Sequence, residues 1–452
     1  MIDEILAMIE KKEFVKLRST LAEMNAPDIA LMFDEVPQDT VLRLFRLLPK
    51  ELAAETFVEM EPDTQEHLIS AFSDKELREV LEEMYVDDTV DIIEEMPANM
   101  VKRILKQTDS ETRSAINKIL KYPKDSAGSI MTIEYVALKA EMTVSQAFDR
   151  IRATGVDKET IYTCYVMDAN RHLIGITTAK DLLLSDPQTK IGDMMETNVI
   201  FVDTFEDKEH VANLFDKYDF LAMPVVDKET RLVGIITVDD VIDVIQEENT
   251  EDIEKMAAIL PSEKPYLKTT VWETFKNRVP WLMLLMLSST FTGKIISSFE
   301  ETLAVCVALT AFIPMLMGTG GNSGGQSSVT VIRALSLGDI EMKDIFKILR
   351  KELLVALLCG IALAVVNFGK MMLIDQSAIL ASGQSPLLVA LVVSLTLIAT
   401  VVCAKIVGCS LPILVKRLGF DPAVTASPFV TTIVDAISLL IYFEIAMNIL
   451  QF

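Results

Sequence analysis

Asp435 lies seven residues into the apolar stretch from Pro428 to Leu450. A stretch of that length reads as a membrane-crossing helix, because about 20 apolar residues span the hydrocarbon core. A carboxylate at that depth costs at least about 2.5 to 3.5 kcal/mol, so such residues usually face a cavity or a partner and mark an ion pathway. Thr431, Thr432 and Ser438 share the Asp435 face through three and four spacing, adding hydroxyl oxygens. Glu444, at about 100° per residue from Asp435, falls on the opposite side and reads as interfacial. An ion pair with Lys294 is the structural alternative for Asp435, although Lys294 can also snorkel outward.

Two further runs could do chemistry. Asp240, Asp243, Glu247, Glu248, Glu251, Asp252 and Glu254 crowd one helical pattern immediately before the first apolar stretch. Like charges three or four apart destabilise a helix by a few tenths of a kcal/mol each, so something should neutralise them. Solvent does this in an ordinary charge run; a connecting helix that binds divalent cations is the functional alternative. The second run is Ile313-Pro-Met-Leu-Met-Gly-Thr-Gly-Gly-Asn-Ser-Gly-Gly-Gln-Ser-Ser328. It predicts a non-helical break at membrane depth, which is tolerated only where protein buries it or it lines water. Its carbonyls, with Asn322 and Gln326, would make a polar wall for a hydrated cation. Tight helix packing through glycine is the alternative.

The elements that must position these residues divide the chain in two. Residues 1–260 carry 28 Lys and Arg against 54 Asp and Glu; residues 261–452 carry 14 against 12. The acidic front half argues against a nucleic-acid surface or docking on anionic lipid, and suits cations. The opening MIDEILAMIEKKEF lacks the apolar core and cleavage site of a signal peptide, which places the front half in the cytosol. Five unclustered cysteines give no disulfide framework and no zinc spacing.

Residues 1–125 read as helices throughout, with an acidic-apolar-Pro pattern recurring at Pro37, Pro62 and Pro97, as in a small α-solenoid. From Ser126 short β-rich runs alternate with helical ones. Gly175-Ile-Thr-Thr-Ala-Lys-Asp181 is echoed 59 residues later by Gly234-Ile-Ile-Thr-Val-Asp-Asp240. The echo resembles a tandem pair of CBS domains, which implies a pseudo-two-fold module that dimerises and often binds an adenosine nucleotide or senses ions. Thr178 and Thr237 read as helix caps; for Asp181 and Asp240, capping and a ligand role both stay open.

Five apolar stretches follow, near 280–299, 302–318, 353–374, 386–411 and 428–450. Lys276, Arg278, Arg333, Lys343, Lys347, Arg350, Lys351, Lys405, Lys416 and Arg417 are assigned to inner ends and loops, against Lys294 and Lys370 outside. That bias predicts a multi-pass protein with the N-terminus cytoplasmic and the C-terminus outside. An odd number of spans suggests pairing into a symmetric dimer.

Pro-x-x-x-Gly-x-Gly-Gly-Asn-x-Gly-x-Gln from Pro314, with Arg333-Ala-Leu and Pro428-Phe-Val-Thr-Thr-x-x-Asp435, resembles the MgtE family of magnesium channels over the whole chain. One departure is Gly325, where many relatives carry Asn or Thr. The resemblance implies a multidomain fold: an α-helical superhelical N-domain (1–125), α+β tandem CBS domains (126–190 and 191–245), an acidic connecting plug helix (246–275) and a five-helix transmembrane domain (276–452). It further implies a homodimer in the lipid bilayer of the plasma membrane, passing Mg²⁺ inward between the two membrane domains and closed by cytosolic Mg²⁺. The pore residues would be Asp435, Thr431, Thr432, Gly321, Asn322 and Gln326. The regulatory ligands would be Asp88, Asp91, Glu209, Asp219, Asp240, Asp243, Glu248, Glu251 and Asp252, with ATP at the CBS pair and Asp181 as its candidate contact.

The physical reading agrees. Mg²⁺ gives up water reluctantly and is usually held by one or two carboxylates. One Asp435 from each of two chains would supply two. A hydrolase is disfavoured: the three histidines lie near no nucleophile, and no phosphate-binding loop or H-E-x-x-H occurs. An ion-coupled exchanger would need paired intramembrane carboxylates within one chain.

Overall fold

The computed structural model describes residues 2–450 apart from 263, 265 and 426. Two compact units emerge, Met1–Ile245 and Gln246–Phe452. The first opens with short helices from Ile2–Glu10 to Ser110–Ile119. The recurring proline sets their boundaries. Helix Ala26–Glu35 stops at an extended Val36 and Gln38–Phe45 starts behind Pro37; Val86–Glu95 stops at an extended Met96 and Ala98–Gln107 starts behind Pro97. Proline bars the residue before it from the helical region and lacks the N–H that a first turn leaves unpaired anyway. The helices bury Leu17, Ile29, Phe33, Leu68, Leu77 and Ile104, and pack the rings of Phe45, Phe57 and Phe72 together.

The two sequence echoes form two three-stranded sheets. Strand β1 (Tyr135–Lys139) pairs parallel with β2 (Thr160–Met167), which pairs antiparallel with β3 (Leu173–Thr178). In the same way β4 (Val202–Asp203), β5 (Ala222–Val226) and β6 (Leu232–Thr237) form the second sheet. The shared glycine has a shared cause. A Cβ on Gly175 would stand 2.9 Å from the Glu196 carbonyl, and one on Gly234 would stand 2.6 Å from the Thr132 carbonyl, where a crossing segment bonds to each sheet. Behind β6 the helix Val238–Met256 carries the acidic run.

The described residues of the second unit form five long helices: Val271–Ser298, Ile313–Ser336, Ile345–Lys370, Pro386–Arg417 and Ser427–Leu450. Among the described residues four segments can cross a membrane by length and composition: Val271–Ser298, Met342–Ala381, Pro386–Arg417 and Pro428–Leu450. Two sequence expectations are overturned here. The stretch 302–318 is no single span, being divided among Glu300–Val305, a 3-10 turn at Val307–Phe312, and the start of the helix at Ile313. The glycine-rich run is no break either: it is helical from Ile313 to Ser336. Packed among helices that exclude water, a backbone must satisfy its N–H and C=O groups itself, and that outweighs glycine's cost of about 1 kcal/mol per residue relative to alanine.

What the glycines provide is proximity. A Cβ on Gly408 of helix Pro386–Arg417 would collide with the Gly324 carbonyl, and one on Gly324 would stand 2.8 Å from Val430 Cγ1. The glycine-rich helix is thus clasped between Pro386–Arg417 and Ser427–Leu450. Lys405 is a third correction: it is 5% exposed, inside Pro386–Arg417 rather than at an inner loop.

Gly408→Val should therefore drive a side chain into the Gly324 backbone and lower stability in detergent by about 1–3 kcal/mol or more. Gly369→Ala, which meets no atom within 4 Å, is the control and should leave the unfolding midpoint unchanged.

Candidate functional site

The last helix turns Val430, Val434, Ser438 and Leu439 into the bundle, with Asp435 partly buried beside them. The Oδ1 atom of Asp435 is buried with no hydrogen-bond partner, and the described residues form no ion pair between Asp435 and Lys294. The glycine-rich helix lies directly against this face. A Cβ on Gly321 would meet Thr431 Cγ2 at 2.7 Å and Oγ1 at 3.3 Å. A Cβ on Gly320 would meet Thr400 Cγ2 at 2.8 Å and Ser438 Oγ at 3.1 Å. So Gly321 and Thr431, far apart in sequence, meet one helical turn from Asp435.

Thr432 donates its hydroxyl to the Pro428 carbonyl at 3.0 Å and keeps its acceptor lone pairs. Asn322 and Gln326 are exposed one turn apart, with Val329 and Thr330 continuing their face of the glycine-rich helix. Carboxylate, hydroxyl and amide oxygens form a hard donor set that suits a cation retaining water, and one carboxylate per chain is half of what a divalent ion needs.

A second constellation lies in the first unit. Helix Val86–Glu95 presents Asp87, Asp88 and Asp91 close to Asp239 and Asp240, with Glu134 and Glu159 alongside and Asp243 near Glu59 at the edge. Asp87 is buried and its Oδ1 has no partner. Burial raises the Asp87 pKa well above the usual carboxylate range, with Asp240 and Asp88 adding repulsion. Burial likewise pushes Asp88 up to about 6 and Glu159 up to about 8, reinforced by their acidic neighbours. Asp91 stands at the exposed rim, yet desolvation by the surrounding chain, with repulsion from Asp240 and Asp88, pushes it up to about 8.

Asp88, Asp91, Asp240 and Asp243 were legible as candidates. Asp87, Asp239, Glu134, Glu159 and Glu59 were not, since only folding brings the chain around residues 59, 87, 134, 159 and 239 together. Among the described residues no three acidic, histidine or cysteine side chains already converge on one metal-sized point.

The other candidates are dispersed. Glu209 sits in the first turn of Lys208–Tyr218 and Asp219 closes the same helix in the left-handed conformation, φ 54°, so they stand at its two ends. Asp181 accepts the Thr178 N–H at 3.1 Å while Thr178 Oγ1 accepts the Asp181 N–H at 3.1 Å, a reciprocal cap. Asp240 accepts from Thr237 Oγ1 at 2.7 Å at the matching place.

Further along the acidic helix, in the second unit, Glu251 pairs with Lys255 at 2.5 Å, and Lys255 with Asp421 at 2.7 Å. Asp252 accepts from Ser336 Oγ at 3.1 Å, and Arg333 donates to Asn249 Oδ1 at 3.0 Å. Glu248 is partly buried on the same helix. The tail of the acidic run is thereby tied through Asp252 and Asn249 to the C-terminal end of the glycine-rich helix, and its own Lys255 is shared between Glu251 and Asp421 ahead of the last helix.

Comparison with known proteins agrees across the chain. The family profile described as "Divalent cation transporter" (MgtE) matches residues 313–445, "MgtE intracellular N domain" matches 24–125, and "CBS domain" matches 127–186 and 191–247. The magnesium transporter MgtE of Thermus thermophilus is 38% identical, over 96% of this chain and 95% of that one. That of Bacillus subtilis is 33% identical, over 98% and 96%. Among solved structures, the cytosolic domain of the Mg²⁺ channel MgtE in complex with ATP aligns at 36% identity and a TM-score of 0.52. It covers 54% of this chain and 100% of that domain. The soluble part of a magnesium transporter aligns at 30% identity and the same TM-score, over 55% of this chain and 97% of that one.

The acidic constellation sets a pH dependence. Folded Asp88 and Glu159 hold protons that the unfolded chain releases above about pH 4. The unfolded state therefore binds fewer protons through the window from about pH 5 to 8, and the first unit weakens as pH rises across it. Without divalent cations, amide exchange in Val86–Glu95, corrected for intrinsic rate, should accelerate by about tenfold or more over that range. A flat corrected rate would count against repulsion in the cluster.

Proposed function

Since this chain belongs to the MgtE family of divalent cation transporters, a membrane transporter family and not a family of enzymes, we propose that it carries Mg²⁺ inward across the plasma membrane. In this reading two copies form the pathway between them and cytosolic Mg²⁺ closes it. The observation that carries the reading is Asp435, an intramembrane carboxylate with a buried, unpartnered oxygen, one turn from the Gly321–Thr431 contact.

An oxygen in that state is costly unless a cation or water reaches it. A second copy across a two-fold axis supplies the second carboxylate, and Thr431, Thr432, Asn322 and Gln326 supply neutral oxygens to the water shell. The exposed Asn322–Gln326 face supports this placement, since those amides have no use against lipid. All five long helices of the second unit cross in this reading. The glycine-rich one is too polar for lipid and is enclosed by its neighbours, and the N-terminus is cytoplasmic with the C-terminus outside. Flow needs no fuel: a divalent ion entering an interior-negative cell gains about 4.6 kcal/mol per 100 mV.

For regulation, the carboxylates of Asp87, Asp88, Asp91, Asp239, Asp240, Glu134 and Glu159 have the donor chemistry of a hard-cation site. Mg²⁺ that draws them together stabilises one arrangement over a bare, repelling one, which is the differential interaction a gate requires. Glu209, Asp219, Glu248, Glu251 and Asp252 are kept as secondary candidates. Asp252 already accepts from Ser336 at the end of the glycine-rich helix, as a plug that closes the pathway would, while Glu251 pairs with Lys255 of its own helix. At the CBS pair an adenosine nucleotide is proposed, supported by the ATP-bound relative, with Asp181 near its helix cap as the contact.

In proteoliposomes, Asp435→Asn should reduce Mg²⁺ uptake by about a hundredfold at equal incorporation; undiminished uptake would remove Asp435 from the pathway. Uptake that stops when proton and sodium gradients are collapsed would favour an exchanger instead. For the sensor, millimolar Mg²⁺ at about pH 8 should restore Val86–Glu95 to the protection seen at about pH 5, and Asp87→Asn with Asp240→Asn should abolish that restoration.

A further inference from the structure

A buried charge pair lies inside the membrane unit, apart from Asp435. Lys405 of helix Pro386–Arg417 donates to Ser327 Oγ at 3.1 Å, Ser327 donates to Glu352 Oε2 at 2.5 Å, and the Lys405 and Glu352 charges stand 3.7 Å apart. The Lys405 side chain is 6% exposed and that of Glu352 12%, so the group faces neither lipid nor a second copy. Three helices meet there, and the serine between the charges belongs to the glycine-rich helix.

The surroundings say what such a group is needed for. Helix Ile313–Ser336 meets its neighbours through Gly320, Gly321 and Gly324, and Gly408 on the facing helix is equally bare. Small residues allow close approach in a membrane, but they offer no knobs to resist sliding or rotation. A buried ion pair rarely adds net stability over well-packed apolar residues; its best-attested use is to specify register. Ser327 follows Gln326 directly and Asn322 by five positions, and one residue of rotation, about 100°, would carry both amides off the exposed face.

We propose that Lys405, Ser327 and Glu352 form a charge clamp that sets the register of the glycine-rich helix and so holds Asn322 and Gln326 on the face that lines the ion pathway. These are positioning residues, since they do not touch the ion. The clamp itself rests only on the packing above; its link to conduction rests on the pathway proposed in the preceding section.

The decisive variant removes both charges together, Lys405→Met with Glu352→Met, which leaves no lone charge to unfold the bundle. It is compared with the exchanged pair, Lys405→Glu with Glu352→Lys, in full-length protein in liposomes. Two quantities are read: Mg²⁺ uptake, and the rate at which a charged thiol reagent modifies Gln326→Cys after the native cysteines are replaced by alanine.

The double-Met protein should unfold at or above the parent temperature, yet modify Gln326→Cys about fivefold more slowly and take up Mg²⁺ about tenfold more slowly, as small misplacements do. The exchanged pair should recover most of both. Should the double-Met protein fail to assemble, Ser327→Ala, which unties the helix while leaving the ion pair, carries the same comparison. Parent labelling rates in a folded clampless protein would overturn the clamp. Altered labelling with parent uptake would leave the clamp standing and overturn instead the assignment of this face to the pathway.

Discussion

In hydrocarbon no water is available to a backbone amide, and the membrane unit follows from that constraint. It keeps the run from Ile313 to Ser336 helical although glycine and serine dominate its middle. A helix made of such residues has little side chain to interpose, so its neighbours come within backbone contact at Gly408 and within side-chain contact at Val430 and Thr431. The functional consequence is placement. The helix that bears Asn322 and Gln326 and the helix that bears Asp435 approach closely, as the proposed pathway requires.

The two units treat carboxylates in opposite ways. In the membrane unit Asp435 stands near hydroxyls and buried Glu352 is paired with Lys405, because each buried charge there is expensive. In the first unit carboxylates are crowded until burial and mutual repulsion lift Asp88 and Glu159 toward neutral pH. Both arrangements suit the same ion. Mg²⁺ binds few carboxylates tightly and keeps its water, so a pathway should offer little charge per chain, whereas a sensor needs enough to respond to cytosolic concentrations. Within the second unit the acidic tail is held by contacts among Lys255, Asp421, Ser336 and Arg333 rather than left to solvent.

Much of this was legible in the residues. Intramembrane Asp435 announced itself by cost, and the doubled Gly-Ile-x-Thr-x-x-Asp gave two like sheets because both copies need glycine where a second backbone crosses. The proline pattern of the first helices marked their boundaries, since proline's constraint is local. Lys405 was misplaced because a basic residue near the end of an apolar stretch resembles an inner anchor; only Glu352 and Ser327, on two other helices, show it to be paired and buried.

By itself, then, the sequence determined what acts at short range: the helix boundaries that proline marks, four of the five expected membrane-crossing stretches, the expensive aspartate and the family motif around it. Tertiary structure alone decided whether the glycine run would break or pack, which lysine lies inside, and that Glu134 and Glu159 join Asp87, Asp88 and Asp240 in one cluster. The reason is the range of the forces. Backbone satisfaction in hydrocarbon and repulsion between carboxylates depend on what surrounds a residue in space, and neighbours tens or hundreds of positions away supply those surroundings.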